Sequence, residues 1–276
     1  MHPERRKHQP PVLADAPSGC ERNGARISIP STAERRMSLP PCGRAVLAAA
    51  LLALTVSASV PLTAQQAPLN TLTPAERAAG WTLLFDGTST AGWRGFRMTT
   101  MPAGWEAKDG ALARVSEAAD IITVREYANF ELTLEWSIAP KGNSGIMYRV
   151  TEADSNTYET GPEYQVLDDA GHRDGLSRLT AAGSVYGLYP APEGLVRPVG
   201  EWNQARIIVN GSDVEHWLNG TLVAHYVLGS PDWEARVANS KFKQWPGYGR
   251  AKSGYIALQE HGGWVGYRNI KIRVLP

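Results

Sequence analysis

From Trp81 onward the chain runs in short stretches of alternating or continuous apolar residues rich in β-branched and aromatic types, separated by Gly, Asn, Asp and Pro. That pattern predicts strands rather than helices. Eleven are expected, at 81–87, 110–115, 120–124, 129–138, 144–150, 163–167, 202–209, 213–218, 221–227, 255–261 and 267–274. Asn210-Gly211 and Asn219-Gly220 are the residue pairs that two-residue hairpin loops demand, so 202–228 should form three consecutive antiparallel strands. Thr73, Pro74, Glu76 and Gly80 fall where the cap, first turn, capping-box partner and terminator of one short helical turn belong. A second short helix is expected over 232–240. Without βαβ alternation, strands at this density predict an all-β fold of one two-sheet antiparallel sandwich.

The first 64 residues do not share this pattern. Ala45–Val56 is an unbroken apolar run behind Arg44 and ahead of a small, polar stretch. Twelve helical residues rise only about 18 Å, short of the roughly 30 Å hydrocarbon core, so the run reads as the apolar region of a signal peptide, the alternative being a retained anchor. Residues 37–64 form the expected signal, cleaved after Ala64 or, second, Ala58; translation is expected to begin at Met37, leaving 1–36 untranslated. Cys42 precedes the apolar run, where a lipid-attachment cysteine would follow it. A short linker at 65–79 and one domain at 80–276 complete the expected organisation, with a secreted or periplasmic destination and no integral membrane domain.

Charge changes the picture only by exclusion. The 276 residues carry 28 Lys and Arg against 27 Asp and Glu, a net +1, which argues against a nucleic-acid partner. Eight of the basic and four of the acidic residues lie in 1–64, so the expected domain is slightly acidic. Both cysteines, Cys20 and Cys42, lie in the leader, and all nine Trp lie beyond it. Nothing after residue 64 can therefore form a disulfide or a thiol nucleophile. No G-x-S-x-G, H-E-x-x-H or P-loop pattern occurs in the domain.

The informative positions are polar residues on strands. Glu163 and Gln165 share a face by period two, as do Gln259 and His261, Glu131 and Glu135, and His216 and Leu218. They read either as a solvated sheet exterior or as the donors and acceptors that a sugar's hydroxyls require. Trp81 and Trp136, on apolar strands, read as core. Trp245 and Trp264 sit in Gly-rich loops, where a ring plane can pack or can stack on a sugar. Asp168, Asp169 and Asp174 give a weak calcium-loop signal.

Several segments, in order over about residues 80–275, resemble the 3-keto-disaccharide hydrolase family. They are Gly80-Trp-Thr-Leu-Leu-Phe-Asp-Gly with Gly92-Trp93, Phe130-Glu-Leu-Thr-Leu-Glu, Asn143-Ser-Gly-Ile, Glu163-Tyr-Gln-Val-Leu-Asp, Glu201-Trp-Asn, His216-Trp-Leu-Asn-Gly, Leu258-Gln-Glu-His-Gly and Arg268-Asn-Ile. The resemblance implies a concanavalin-like jelly roll and cleavage of glycosides already oxidised at C3. It carries over Glu135, Asn143, Glu163, Gln165, Asp168, His216, Asn219, Gln259, His261 and Arg268 as candidate site residues. Two stretches depart from the family: the polar connection 151–160 and the basic, aromatic loop 238–250, both of which can reshape a cleft.

A ketone at C3 acidifies the C2 proton, so the implied chemistry needs one base, an electrophile for the enolate oxygen and an acid for the leaving oxygen. His261 or Glu163 is the expected base and the other the acid, with Arg268 or a bound divalent cation at the enolate; no other cofactor is expected. Glu135, Asn143, Gln165, Asp168, His216, Gln259, Trp245 and Trp264 would bind substrate, and a sugar 3-oxidoreductase would supply it. A non-catalytic carbohydrate-binding module ranks second. A conventional glycosidase, which needs two carboxylates, ranks third with Glu131 and Glu135 as its only same-face pair on one strand.

Overall fold

A computed structural model describes residues 68–276. The leader expectations, including Cys20, Cys42, the cleavage sites and the Met37 start, lie outside the described residues, as do residues 65–67 of the expected linker. Two antiparallel sheets pack face to face. In chain order the strands are β1 (Trp81–Leu83), β2 (Trp93–Gly95), β3 (Trp105–Lys108), β4 (Ala111–Arg114), β5 (Ile121–Thr123), β6 (Phe130–Ile138), β7 (Asn143–Val150) and β8 (Glu163–Leu167). β9 (Asn203–Asn210), β10 (Asp213–Leu218), β11 (Thr221–Val227), β12 (Tyr255–Leu258) and β13 (Val265–Val274) follow. The larger sheet has the order β11-β10-β9-β6-β13-β4-β3, with β1 also paired to β13; the smaller runs β2-β5-β12-β7-β8. The all-β jelly-roll expectation holds. β2 and β3 lack an alternating run long enough to mark them, and both are short strands held by tryptophans that are buried: Trp93 and Trp105 donate indole N–H bonds to Leu84 O at 2.6 Å and Ala119 O at 3.0 Å.

The core follows the strand period. On β6, Phe130, Leu132, Leu134, Trp136 and Ile138 turn inward, while Glu131, Thr133 and Glu135 turn outward. They meet Ile146 and Tyr148 of β7 and Tyr164 and Val166 of β8. The Asn219-Gly220 hairpin forms as expected, both residues at positive φ. The preceding loop is displaced by one residue. Asn210 pairs with Asp213, so Gly211-Ser212 make the turn and only Gly211 has positive φ, the requirement of a II′ rather than a I′ turn.

Two helices frame the sheets. α1 (Pro74–Ala78) closes the expected capping box, Thr73 Oγ1 accepting from Glu76 N at 3.1 Å and Glu76 accepting from Thr73 N at 2.7 Å. Its segment lies against the larger sheet: Asn70 and Asn269 exchange backbone-to-side-chain hydrogen bonds of 2.6 and 2.8 Å, and Lys271 pairs with Glu76 at 2.6 Å. α2 (Pro231–Ala238) is capped by Ser230 and buries Trp233. No helix among the described residues is long and apolar enough to cross a membrane.

Candidate active site

The polar residues that matter lie on the outward face of the smaller sheet. β7 and β8 pair in a register that sets Gly145 opposite Gln165 and Met147 opposite Glu163. Asn143, Gly145, Glu163 and Gln165 therefore share one face, and β12 runs along the other side of β7, leading into Gln259, whose N–H donates to Gly145 O at 2.9 Å. Gly145 is obligatory here. A Cβ at this position would stand 2.1 Å from Glu163 Oε1, so the carboxyl occupies the space a side chain would take. The Asn-Ser-Gly segment thus supplies one polar side chain and, two residues on, the gap that seats the carboxyl.

Loops wall this face. The chain after β8 folds back so that Tyr186 N donates to Glu163 O at 3.1 Å, which sets the Tyr186 ring at the cavity edge. After β7, a 3₁₀ turn at Thr157–Glu159 carries Tyr158, its start held by Glu159 accepting from Ser155 N and Asn156 N. A second 3₁₀ turn, Lys241–Gln244, carries Lys241 and is clamped by Phe242 stacking on Tyr248 at 4.1 Å. Tyr248 lies parallel to Trp233 of α2, and Trp245 meets Tyr158 edge-on at 5.4 Å. The basic, aromatic loop seen in the sequence is a stapled wall.

These elements enclose an inner lobe of about 240 Å³ lined by Asn143, Tyr158, Glu163, Gln165, Tyr186, Lys241, Gln259 and His261. An outer lobe of about 370 Å³ shares Tyr158, Gln259 and His261 with it and adds Phe96, Arg97, Ala118, Ala119, Asp120, Ser155, Asn156 and Glu260. Glu163, Gln165 and Asn143 line only the inner lobe. His261 stands exposed at the junction, on a strap fixed by Glu260, whose N–H donates to Asp120 at 2.8 Å and whose carboxylate holds Arg114 at 2.6 Å.

Glu163 is 5% exposed, and burial pushes its carboxyl up to about 8; Lys241 opposes the rise, while Asp120 and Asp174 add to it. Asp120 is also raised by burial. Gln165 is fully buried, donates to Asn143 Oδ1 at 3.3 Å, and leaves its Oε1 without a partner. A buried acceptor without a donor is unfavourable by about 1–3 kcal/mol, so it is poised for a ligand hydroxyl. A further cavity of about 300 Å³ beside Phe85 and Tyr127 gathers no comparable group. There Asp86 caps its own turn and Arg125 covers the Tyr127 ring.

The structure brings Glu163, Gln165, Asn143, Gln259 and His261 together, while Trp245, expected to touch substrate, packs on Tyr158 and lines neither lobe. It corrects the other expectations. Arg268 and Glu135 lie on the outward face of the larger sheet, directly opposite each other in register, joined at 2.7 Å; Arg268 covers the Trp202 ring at 4.0 Å. The sandwich separates them from Glu163, so neither reaches the cavity. His216 is fully buried between the sheets, 2.9 Å from Tyr148 OH and 3.3 Å from Gly183 O, and burial lowers its pKa to about 3. Asp168 caps a turn, accepting from Lys141 N at 2.7 Å and Gly171 N at 3.0 Å. Trp264 packs over Gly266 on the larger sheet, outside both lobes. Asn219 acts in its hairpin, bonding Leu195 O and Asn203.

The calcium loop does not assemble either. Asp169 pairs with Arg178, Asp174 accepts from Tyr186 OH, and among the described residues no group of three His, Cys, Asp or Glu side chains converges as a metal site. Sequence reading missed Lys241, Tyr158 and Tyr186 as individual residues. The available signal was that the two stretches departing from the family pattern, 151–160 and 238–250, contain Tyr158 and Lys241.

A model of the 3-keto-alpha-glucoside-1,2-lyase-like domain matches residues 80–273. A 3-keto-disaccharide hydrolase of Bacteroides thetaiotaomicron is 34% identical over 230 residues, covering 72% of this chain and 79% of the relative. A crystal structure described as a putative glycosyl hydrolase from Parabacteroides distasonis superposes with a TM-score of 0.72 at 36% identity, covering 76% of this chain and all of that one. Another so described from the same organism gives a TM-score of 0.57 at 29% identity, covering 71% of this chain and 99% of its own.

Proposed function

The chain belongs to the 3-keto-alpha-glucoside-1,2-lyase-like family and is a glycoside-acting hydrolase, and from that premise we propose that it cleaves 3-keto-glycosides by elimination and rehydration. The observation that carries the reading is the division of the cleft. The buried carboxyl of Glu163 touches only the inner lobe, and His261 stands where the two lobes meet. A glycoside spanning them places its oxidised sugar over Glu163 and its scissile C1–O bond beside His261.

Glu163 then acts as base and His261 as acid. The C2–H pair moves into a C2=C3 bond as the carbonyl pair moves to O3, and Glu163 takes the proton. Return of that pair re-forms the ketone, makes a C1=C2 bond and expels the C1 oxygen, which takes a proton from His261. Water adds across C1=C2, its hydroxyl to C1 and its proton to C2, so the sum is hydrolysis. A carboxylate whose conjugate acid titrates near 8 is a stronger base than an ordinary glutamate, which suits abstraction from carbon. Gln165 Oε1, Asn143 and Gln259 supply the contacts that orient sugar hydroxyls. The pair expected of a conventional glycosidase, Glu131 and Glu135, faces away on the other sheet.

The 45–56 apolar run directs the protein to a secreted or periplasmic location, and the substrate comes from an oxidoreductase acting on a C3 hydroxyl. The test is a pair of glycosides identical but for the 3-keto group, offered in deuterated water. The expected result is cleavage of the keto compound alone, with deuterium at C2 of the product. Equal cleavage of the unoxidised compound would refute the mechanism, and binding without cleavage of either would indicate a binding module.

A further inference from the structure

Enolate formation places negative charge on O3, and the arginine expected to meet it lies across the sandwich. We infer that Lys241 is the oxyanion-holding group of the inner lobe, an assignment that rests on the keto-glycoside reading and adds the one role left unfilled there.

Among the side chains lining the inner lobe, Lys241 is the one that brings an ammonium group to it. Its ammonium forms no ion pair with a carboxylate among the described residues. It stands instead 4.5 Å from the centroid of the Tyr186 ring and 5.6 Å from that of Tyr158. A ring face orients a cation without neutralising it, so the charge stays available to a substrate oxygen. A carboxylate partner would already neutralise the ammonium, and that ion pair would have to break before the lysine could meet a substrate oxygen.

The position is fixed from beneath. Ser240 caps the 3₁₀ turn by accepting from Phe242 N at 3.1 Å, and Phe242 is buried against Tyr248, which in turn lies parallel to Trp233. An oxyanion-stabilising group works by being held in place before charge develops. This lysine's backbone is anchored in that way, while its ammonium remains at the mouth of the lobe. The same cation opposes the rise in the Glu163 pKa, so base and electrophile are electrostatically linked across the cavity.

The experiment compares the intact protein with its Lys241→Met and Lys241→Arg variants on methyl 3-keto-α-glucoside. It records kcat, KM, C2 deuterium incorporation and the pH profile, with near-ultraviolet circular dichroism to confirm the aromatic wall. An oxyanion role predicts a fall in kcat of about 10²–10³-fold for Lys241→Met with little change in KM, and partial recovery in Lys241→Arg. The titration of Glu163 in the Met variant should also move to higher pH. A Lys241→Met protein that keeps kcat within threefold, or that loses only KM, overturns the inference while leaving elimination in place. Wild-type cleavage without C2 deuterium overturns the elimination reading and the lysine's role with it.

Discussion

The outward faces of the two sheets carry similar residues to opposite ends. On the larger sheet the acids of β6 are matched by arginines of its neighbours. Glu131 lies between Arg206 and Arg273, Glu135 accepts from Arg268 and from Asn269 Nδ2 at 2.8 Å, and Glu76 holds Lys271. On the smaller sheet Glu163 is buried without such a partner and Gln165 has an unused acceptor. Charges that answer one another on a partly solvated face contribute modestly and do nothing further, while polar groups withdrawn from water without partners are retained against stability. The difference identifies which face is built to receive a ligand.

Glu163→Gln puts that contrast under the greatest strain. Turnover of a 3-keto glycoside should fall about 10²–10⁴-fold while the melting temperature holds or rises. A variant that loses activity only because it unfolds, seen as a collapsed circular dichroism signal, would mean Glu163 is structural. Gly145→Ala should come next, because the new methyl must displace the Glu163 carboxyl. Its kcat should drop by at least tenfold with the backbone fold intact, and full activity would show that the carboxyl's seat is unimportant.

The pH behaviour sharpens the same comparison. As a base with a pKa near 8, Glu163 makes kcat/KM rise as pH rises through that value, where an acid in the same seat would make it fall. Its folded-state pKa lies above the ordinary value of 4.5, so the native state holds the extra proton between these limits. Stability from this group is whole below pH 4.5 and declines as pH climbs to 8, and Glu163→Gln should be the more stable protein at pH 9 by chemical denaturation. His216 works in the opposite sense: its native pKa is lowered, so the unfolded chain takes up protons first and stability falls as pH drops from 6.5 toward 3. An acid-unfolding midpoint that His216→Gln leaves unmoved would contradict this.

The smallest effect belongs to the matched face. Arg268→Met, paired with Glu135→Gln to avoid a lone charge, should alter stability by no more than about 1 kcal/mol and leave kcat within a few-fold. A large loss of turnover in that double variant would reconnect the larger sheet to the chemistry and undo the comparison.

Much of the site was legible in the sequence because period two places alternate side chains on one face. Glu163 with Gln165 needed no more than that rule to be grouped; Gln259 and His261 were paired by the same spacing although β12 ends at Leu258 and both lie beyond it, and Asn143 entered through the family resemblance. The same rule could not tell which way a face points. Glu135 and Arg268 have strand spacing as good as Glu163 and Gln165, but their strands belong to the other sheet. His216 alternates correctly too, yet its face is the inner one, where Tyr148 and Gly183 satisfy the ring.

Residue order along each strand, its turns and its caps was therefore determined by the sequence: Thr73 with Glu76, Asn219 with Gly220, and the inward row from Phe130 to Ile138 follow from local sterics, hydrogen bonding and burial of apolar area. Apart from the two hairpins that join β9, β10 and β11, which strands neighbour one another, and hence which polar faces meet, was decided only in three dimensions. Pairing β7 with β12 joins residues more than a hundred positions apart in the chain, and the walls bearing Tyr158, Tyr186 and Lys241 are placed by aromatic stacking and backbone bonds between distant loops. Those contacts depend on sheet order and loop path, which no periodicity encodes, because a strand's alternation fixes its two faces but not what each will face.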